Sequence, residues 1–200
     1  AIEDKLNEAQ RAATISDAFG RYVSVDLAEE LLRNPEALKP GGELRTVTVL
    51  MSDLRGFTSL TERLGPEGMV TLLNQYLKSM TDVIEDHDGY INEFIGDAIL
   101  VIFGVPSPRE DDPRRAVRCA IGMQRALDRF NAETHRDVPL QMGIGIHTGR
   151  VVIGNIGSEK RISYGVIGDA VNLTARIESL TVGSQILVSA VTQGLTGEGV

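Results

Sequence analysis

The sequence predicts an α+β fold, an antiparallel sheet with helices packed on one face. Three observations predict it. Apolar and β-branched runs recur at residues 46–52, 90–95, 98–103, 141–147, 151–156 and 162–167. Two long stretches between them carry apolar residues at helical spacing. Several runs follow one another across only two or three residues, a separation that joins antiparallel neighbours and is too short for a parallel crossover. The order strand, helix, strand–strand, helix, strand is a split βαβ, ferredoxin-like core.

Taken in order, residues 1–20 read as a helix. Ile2, Leu6, Ala9, Ala13 and Ser16 step by four and three, a short heptad-like seam that suits a signalling helix joining two protomers, or an ordinary amphipathic helix. Residues 19–32 are a second helical stretch with Val25, Leu27, Leu31 and Leu32 apolar. Asn34-Pro35 and Lys39-Pro40-Gly41-Gly42 read as a linker. Residues 1–42 are therefore expected to form an N-terminal helical and linker segment, and residues 43–200 the globular domain, whose first strand starts near Arg45. Residues 46–52 form a buried strand ending at Asp53. The next helix carries Leu72, Leu73, Tyr76, Leu77, Met80, Val83 and Ile84, with Pro66 near its start. His87-Asp88-Gly89 is a turn. Residues 90–95 and 98–103 form a hairpin with Asp97 at or beside its tip. Pro113 opens a helix with Ala116, Val117, Ala120, Ile121, Met123 and Leu127 apolar. Residues 141–147 and 151–156 are expected as a second hairpin turning at Thr148-Gly149-Arg150. A strand at 162–167, a helix at 169–180 and a strand at 185–188 complete the domain.

Composition narrows the function. With 28 acidic and 20 basic residues the net charge is −8, and no stretch is dense in Lys and Arg. That balance argues against nucleic acid and against an anionic membrane surface as partners. A phosphate-bearing ligand remains compatible, because cations can supply the positive charge. The single cysteine, Cys119, permits no internal disulfide and reads as a small buried hydrophobe. No apolar run reaches transmembrane length. The expectation is a cytoplasmic domain, with room for a membrane-anchored parent, and the start at Ala1 without Met fits a piece of a longer protein with an upstream regulatory domain.

The chemistry-bearing residues fall in three segments. Asp53 lies in Val49-Leu50-Met51-Ser52-Asp53-Leu54-Arg55-Gly56-Phe57-Thr58, and Asp97, 97−53=44 residues later, in Asn92-Glu93-Phe94-Ile95-Gly96-Asp97-Ala98. Two carboxylates at the ends of neighbouring strands can hold two divalent cations, and two cations on a nucleoside triphosphate suggest phosphoryl or nucleotidyl chemistry. Singly, Asp53 also reads as a helix N-cap and Asp97 as a turn residue. Arg55, Gly56, Phe57 and Thr58 open a helix whose first amides attract phosphate, and Gly56 lets the backbone come close. Asn172 and Arg176 in the segment Gly168-Asp169-Ala170-Val171-Asn172-Leu173-Thr174-Ala175-Arg176 are four apart and share a helix face, which alone suits a solvated surface equally well.

Together, and in this order, the segments resemble the class III nucleotide cyclases over almost all of residues 45–190, most of all a bacterial-type homodimeric guanylyl cyclase. The resemblance implies a two-metal attack of the ribose 3′-hydroxyl on the α-phosphate, giving a 3′,5′-cyclic nucleotide and pyrophosphate. It implies Asp53, Asp97 and the Leu54 carbonyl as ligands of two Mg²⁺ or Mn²⁺ ions. Asn172 would orient the ribose, and Arg176 would meet charge on the α-phosphate in the transition state. In the family these two residues face the aspartates of the other protomer, so a homodimer with two shared sites is expected. Gly154-Asn155-Ile156-Gly157-Ser158-Glu159-Lys160-Arg161 looks like the arm that reaches over the partner.

Two positions bear on the base. Adenylyl cyclases usually carry lysine four residues before the second aspartate; here it is Glu93. An ionised carboxylate only accepts hydrogen bonds, so it suits guanine's N1–H and 2-amino group and opposes adenine's unprotonated N1. The second base-binding position, seven before Asn172, is Gly165, which has no side chain to read the base. GTP is therefore expected as substrate, with ATP as the alternative and a non-catalytic nucleotide-sensing dimerisation module as a third reading. His87-Asp88-Gly89-Tyr90-Ile91 lacks the signature hairpin of diguanylate cyclases. The family's triphosphate-binding lysine would fall beyond Val200, so the C-terminal end is expected to be incomplete. His147 is expected to be structural, and His87 and His135 to lie on the surface.

Overall fold

The computed structural model describes residues 41–135, 138–158 and 161–197. The helical segment expected over residues 1–40 lies outside the described residues. Among the described residues the elements are β1 (Gly41–Leu54), α1 (Phe57–Asp86), β2 (Tyr90–Ile95), β3 (Ala98–Phe103), α2 (Asp112–Thr134), β4 (Met142–Ser158), β5 (Arg161–Ile167), α3 (Asp169–Ser179), β6 (Ile186–Val188) and α4 (Ala190–Thr196). The sheet runs β2-β3-β1-β4-β5, with β6 added beside β4. Every pair is antiparallel except β4–β6, which is parallel. The expected α+β class, with the long helices packed on one face of the sheet, is what the chain adopts.

Alternation along the strands builds two cores. Leu50 and Leu54 of β1, Ile99, Val101 and Phe103 of β3, and Met142, Ile144 and Ile146 of β4 belong to the larger one. They pack on Leu72, Tyr76, Met80 and Ile84 of α1 and on Ala116, Ala120, Met123 and Leu127 of α2. The intervening residues Val47, Val49, Leu100, Ile102, Val151 and Ile153 form a smaller core with Ala170 and Val171 of α3. Tyr90 of β2 and Tyr164 of β5 meet edge to face at 6.1 Å across this second side. These strands stand at opposite ends of the main sheet path, so the twist of the sheet curls its edges toward each other.

α1 is two helical segments joined at Gly65 (φ 69°), with Pro66 opening the second, as its fixed φ and missing N–H favour. Pro113 similarly opens α2.

Two expectations are corrected. Gly41 and Gly42 are not linker; they pair with Asn155 and Gly154 as the start of β1. The turn expected at Thr148-Gly149-Arg150 is absent, and β4 runs straight through it. The β1–β4 ladder is continuous from Gly41↔Asn155 to Leu54↔Met142, and the Thr48 and Thr148 hydroxyls meet inside it at 2.9 Å. The glycine that suggested a turn is there for packing. A Cβ at Gly149 would lie 2.8 Å from the Ala170 Cβ. The same holds two and three strand repeats earlier: a Cβ at Gly145 would stand 2.4 Å from the Glu178 amide nitrogen, and one at Gly143 1.9 Å from the Thr181 hydroxyl. Gly143, Gly145 and Gly149 thus form a track on which α3 and the turn after it rest directly on the sheet. Helix α4 was not anticipated. It is capped by Ser189, whose hydroxyl accepts from the Thr192 amide at 3.3 Å.

Gly145→Ala should destabilise the domain by about 1–3 kcal/mol, since the clash is with backbone and α3 must move. Gly165→Ala, whose added Cβ would meet nothing closer than 3.5 Å, should be nearly neutral. Urea midpoints of the two variants test this; equal midpoints would mean that α3 does not rest on the track.

Candidate active site

Asp53 is the penultimate residue of β1, and Asp97 lies in the two-residue turn Gly96-Asp97 that joins β2 to β3. β1 and β3 are paired neighbours, with Ser52 opposite Ile99, so both carboxylates emerge at the same end of adjacent strands. The Leu54 N–H donates to Asp97 Oδ2 at 3.1 Å. Asp97 is pushed up to about 6, first by burial and then by the charge of Asp53. Two carboxylates that resist joint ionisation are what a hard cation relieves, and an all-oxygen donor set suits Mg²⁺ or Mn²⁺. Among the described residues there is no cluster of three or more His, Cys, Asp or Glu side chains that could hold a metal. The rest of a coordination shell would fall to carbonyl and nucleotide oxygens. The residues present fit such an ion. The N-cap alternative for Asp53 does not hold, because the cap of α1 is Gly56 in the left-handed region at φ 72°.

Arg55 departs from the sequence reading. Its guanidinium is turned toward the end of α3. Nη2 donates to the Glu178 carbonyl at 3.0 Å and also meets the Glu178 carboxylate and the Thr181 hydroxyl, while Nη1 lies 3.4 Å from Asp53 Oδ2. Its backbone N–H donates to the Gln141 carbonyl at 2.8 Å. Arg55 is therefore committed inside its own chain through both its side chain and its backbone N–H, which leaves Gly56, Phe57 and Thr58 of the residues expected to bind phosphate. The amides of Gly56, Phe57 and Thr58 stand where no carbonyl of the helix precedes them. Burial raises the Glu178 carboxyl, and Arg55 opposes that shift.

Helix α3 has two faces. Ala170, Thr174 and Glu178, spaced by four, are buried against the sheet. Asn172, Leu173 and Arg176 are exposed on the other side. They line an open cleft of about 400 Å³ together with His147, Gly149, Arg150 and Asp169. The aspartates do not line it, so one chain does not assemble Asp53 and Asp97 with Asn172 and Arg176 in a single pocket. Arg150, expected as part of a turn, instead lies in β4 and is among the residues that line this cleft. The false turn hid it: in a continuous β4 it belongs to the strand that α3 crosses. His147 Nδ1 lies 2.9 Å from the Ser189 hydroxyl, and burial lowers its pKa, which suits the expected structural role. His135 is exposed as expected. His87 is half-buried, with Nδ1 2.8 Å from the Val83 carbonyl. Cys119 is fully buried, its thiol pushed up to about 12, as a small hydrophobe should be.

Glu93 is exposed on β2, the edge strand, just after the register shift between Ile91 and Glu93. Gly165 lies on β5, and a Cβ there would be 3.5 Å from Asn92 Oδ1. The curl that joins Tyr90 to Tyr164 thus brings the two positions expected to bear on the base to one corner. The hairpin β4–β5 carries the expected arm; its turn residues 159–160 lie outside the described residues. Among the described residues no helix is long and apolar enough to cross a membrane.

Residues 41–198 match the family described as the adenylate and guanylate cyclase catalytic domain. The chain is 37% identical over 210 residues to the adenylate cyclase of Anabaena cylindrica, covering 94% of this chain and 40% of that protein. The crystal structure of the guanylyl cyclase Cya2 is 54% identical, with a TM-score of 0.76 over 79% of this chain and 81% of that one. The adenylyl cyclase CyaB from P. aeruginosa is 36% identical, with a TM-score of 0.75 over 77% and 81%. The chain spans two fifths or less of the first curated relatives it matches.

The raised Asp97 yields a stability test. Between its unfolded value near 3.8 and about 6, the folded chain holds a proton that the unfolded chain has lost, so folding weakens as pH rises through that window. In metal-free buffer Asp97→Asn should stabilise the domain at pH 7–8 by about 1 kcal/mol, the shift being discounted because the group is half exposed, and the gain should vanish below about pH 4. Thermal melts across pH test this; a variant less stable at pH 8 would contradict it.

Proposed function

Because the chain belongs to the adenylate and guanylate cyclase catalytic domain family, we propose that it is the catalytic domain of a homodimeric cyclase converting GTP to 3′,5′-cyclic GMP and pyrophosphate. Nucleotide cyclisation follows from the family; the base, the dimer and the residue roles are our reading. Asp53, Asp97 and the Leu54 carbonyl would hold two divalent ions, which when bound supply charge neutralisation and a more acidic ribose 3′-hydroxyl. The amides of Gly56, Phe57 and Thr58 cradle the terminal phosphates at the start of α1. Asn172 orients the ribose. Arg176 meets the charge that grows on the α-phosphate, and its planar fork suits phosphate oxygens better than a lysine would. Arg150, which lines the same cleft, would add a second cation for the triphosphate.

The two-faced α3 supports the shared-site dimer. Glu178 turns inward to Arg55, beside Asp53, whereas Asn172 and Arg176 turn outward. The outward pair is thus free to meet the aspartates of a second protomer, and two-fold symmetry then makes two sites.

The guanine reading rests on one observation: Glu93 offers an exposed carboxylate at the corner where Gly165 offers no side chain. Guanine presents two donors to that carboxylate, and adenine presents a lone pair. The 54% identity to a solved guanylyl cyclase supports the same reading. The 36–37% identity to adenylyl cyclases keeps ATP as the competing substrate.

Three outcomes are expected. With Mg²⁺ or Mn²⁺ and GTP and ATP assayed side by side, kcat/KM should favour GTP by roughly 5- to 150-fold, the worth of one mismatched buried polar group. A ratio favouring ATP would make the domain an adenylyl cyclase. Glu93→Lys should cut GTP use more than ATP use, and adding Gly165→Asp, for which there is space, should raise ATP use further. Finally, Asp53→Asn and Arg176→Ala chains, each inactive alone, should regain activity when they form heterodimers; heterodimers that stay inactive would exclude the shared site.

A further inference from the structure

We propose that Arg55 is a positioning residue that acts through Glu178 on helix α3, and so serves the active site that its chain completes with Asn172 and Arg176, not the site to which its chain gives Asp53. The proposal rests on the shared-site reading. Arg55 follows Asp53 by two residues, so its place in the sequence puts it with the aspartates. Its guanidinium goes the other way. Nη2 meets the Glu178 carbonyl at 3.0 Å, the Glu178 carboxylate and the Thr181 hydroxyl, whereas the contact with Asp53 is a single long one at 3.4 Å to a group one third exposed.

Three features make this contact the lock of α3. Thr181 Oγ1 itself donates to the Glu178 carbonyl at 2.7 Å, so Arg55 closes a polar knot on the last turn of the helix. The Glu178 side chain is only 9% exposed, and its carboxylate would be buried without a counter-charge if Arg55 were removed. Gly143 leaves the room the knot needs: a Cβ there would fall 2.1 Å from Arg55 Nη2 and 1.9 Å from Thr181 Oγ1. At the other end Ala170 rests on Gly149. The helix is thus held by packing on Gly149 at its N-terminal end, and at its C-terminal end by the close approach of Glu178 to Gly145 together with the Arg55 contacts. Arg176 lies two residues before Glu178 and projects from the opposite face, so a tilt of the last turn moves its guanidinium directly.

Position in the heterodimer decides the matter. Two differently tagged chains are co-expressed, one carrying Asp53→Asn and the other Arg176→Ala, and the heterodimer is purified. Its one intact site takes Asn172 and Arg176 from the first chain and the aspartates from the second. Arg55→Gln added to the first chain should lower kcat roughly 10- to 100-fold with KM changed less than about threefold, and added to the second chain should lower kcat less than about threefold. Glu178→Gln in the first chain should reproduce the loss, and Arg55→Lys there should recover part of it. The reverse pattern would assign Arg55 to the aspartate and phosphate side and overturn the proposal. Equal losses in both arms, with equal drops in melting temperature, would mean a general structural role and overturn it too. A parent heterodimer without activity overturns the shared-site reading, and this proposal with it.

Discussion

Asp53 stands opposite Gly143 because the β1–β4 ladder runs without a break from Gly41↔Asn155 to Leu54↔Met142. Much else depends on that register. It sets Leu50 and Leu54 toward the helices and Val47 and Val49 toward the second face. It lines up Gly143, Gly145 and Gly149 under α3. A slip of one residue would exchange the two faces, burying the carboxylate of Asp53 and exposing the core. The buried Thr48–Thr148 hydroxyl pair, continued to Thr192 at 2.9 Å, is a polar contact that no shifted pairing can make.

The site is built at the expense of local electrostatic comfort. Two carboxylates share one end of the sheet, and partial burial together with the charge of Asp53 makes Asp97 resist ionisation. A third acid, Glu178, is buried close enough to Asp53 to feel its charge, and Arg55 offsets it. Such an arrangement weakens the ligand-free fold and favours whatever brings positive charge, as functional sites commonly do. A net charge of −8 over the whole chain works in the same direction. On the proposed reading, such a domain would take an anionic nucleotide in company with cations.

α3 divides its residues between two tasks. Its inner stripe, Ala170, Thr174 and Glu178, is fixed by glycines and an ion pair. Its outer stripe, Asn172 and Arg176, is left to solvent in the single chain. Rigid seating on one side and free presentation on the other is what a helix needs if its functional groups are to serve a site completed elsewhere.

Local pattern sufficed for much of this. Alternation and helical spacing gave the strands, the two long helices and the β2–β3 hairpin, because each is dictated by neighbours in sequence. Asp53 and Asp97 sit at strand ends that the pattern marks, whereas Asn172 and Arg176, four apart on one helix face, stood out through the family resemblance and not through their spacing. Glycine was the point of failure. In sequence Gly149 signals a turn, and Gly41-Gly42 a linker, because backbone freedom is all that a glycine shows locally. Only the tertiary structure decided that these glycines lie in extended strands, where at Gly42 a neighbouring strand and at Gly149 a helix comes too close for a side chain. The side chain of Arg55 was hidden from the sequence on the same principle. Its sequence neighbours are the aspartate and the phosphate loop, but a long side chain goes where an unpaired charge is buried, and Glu178, 123 residues away, was invisible until the chain had folded.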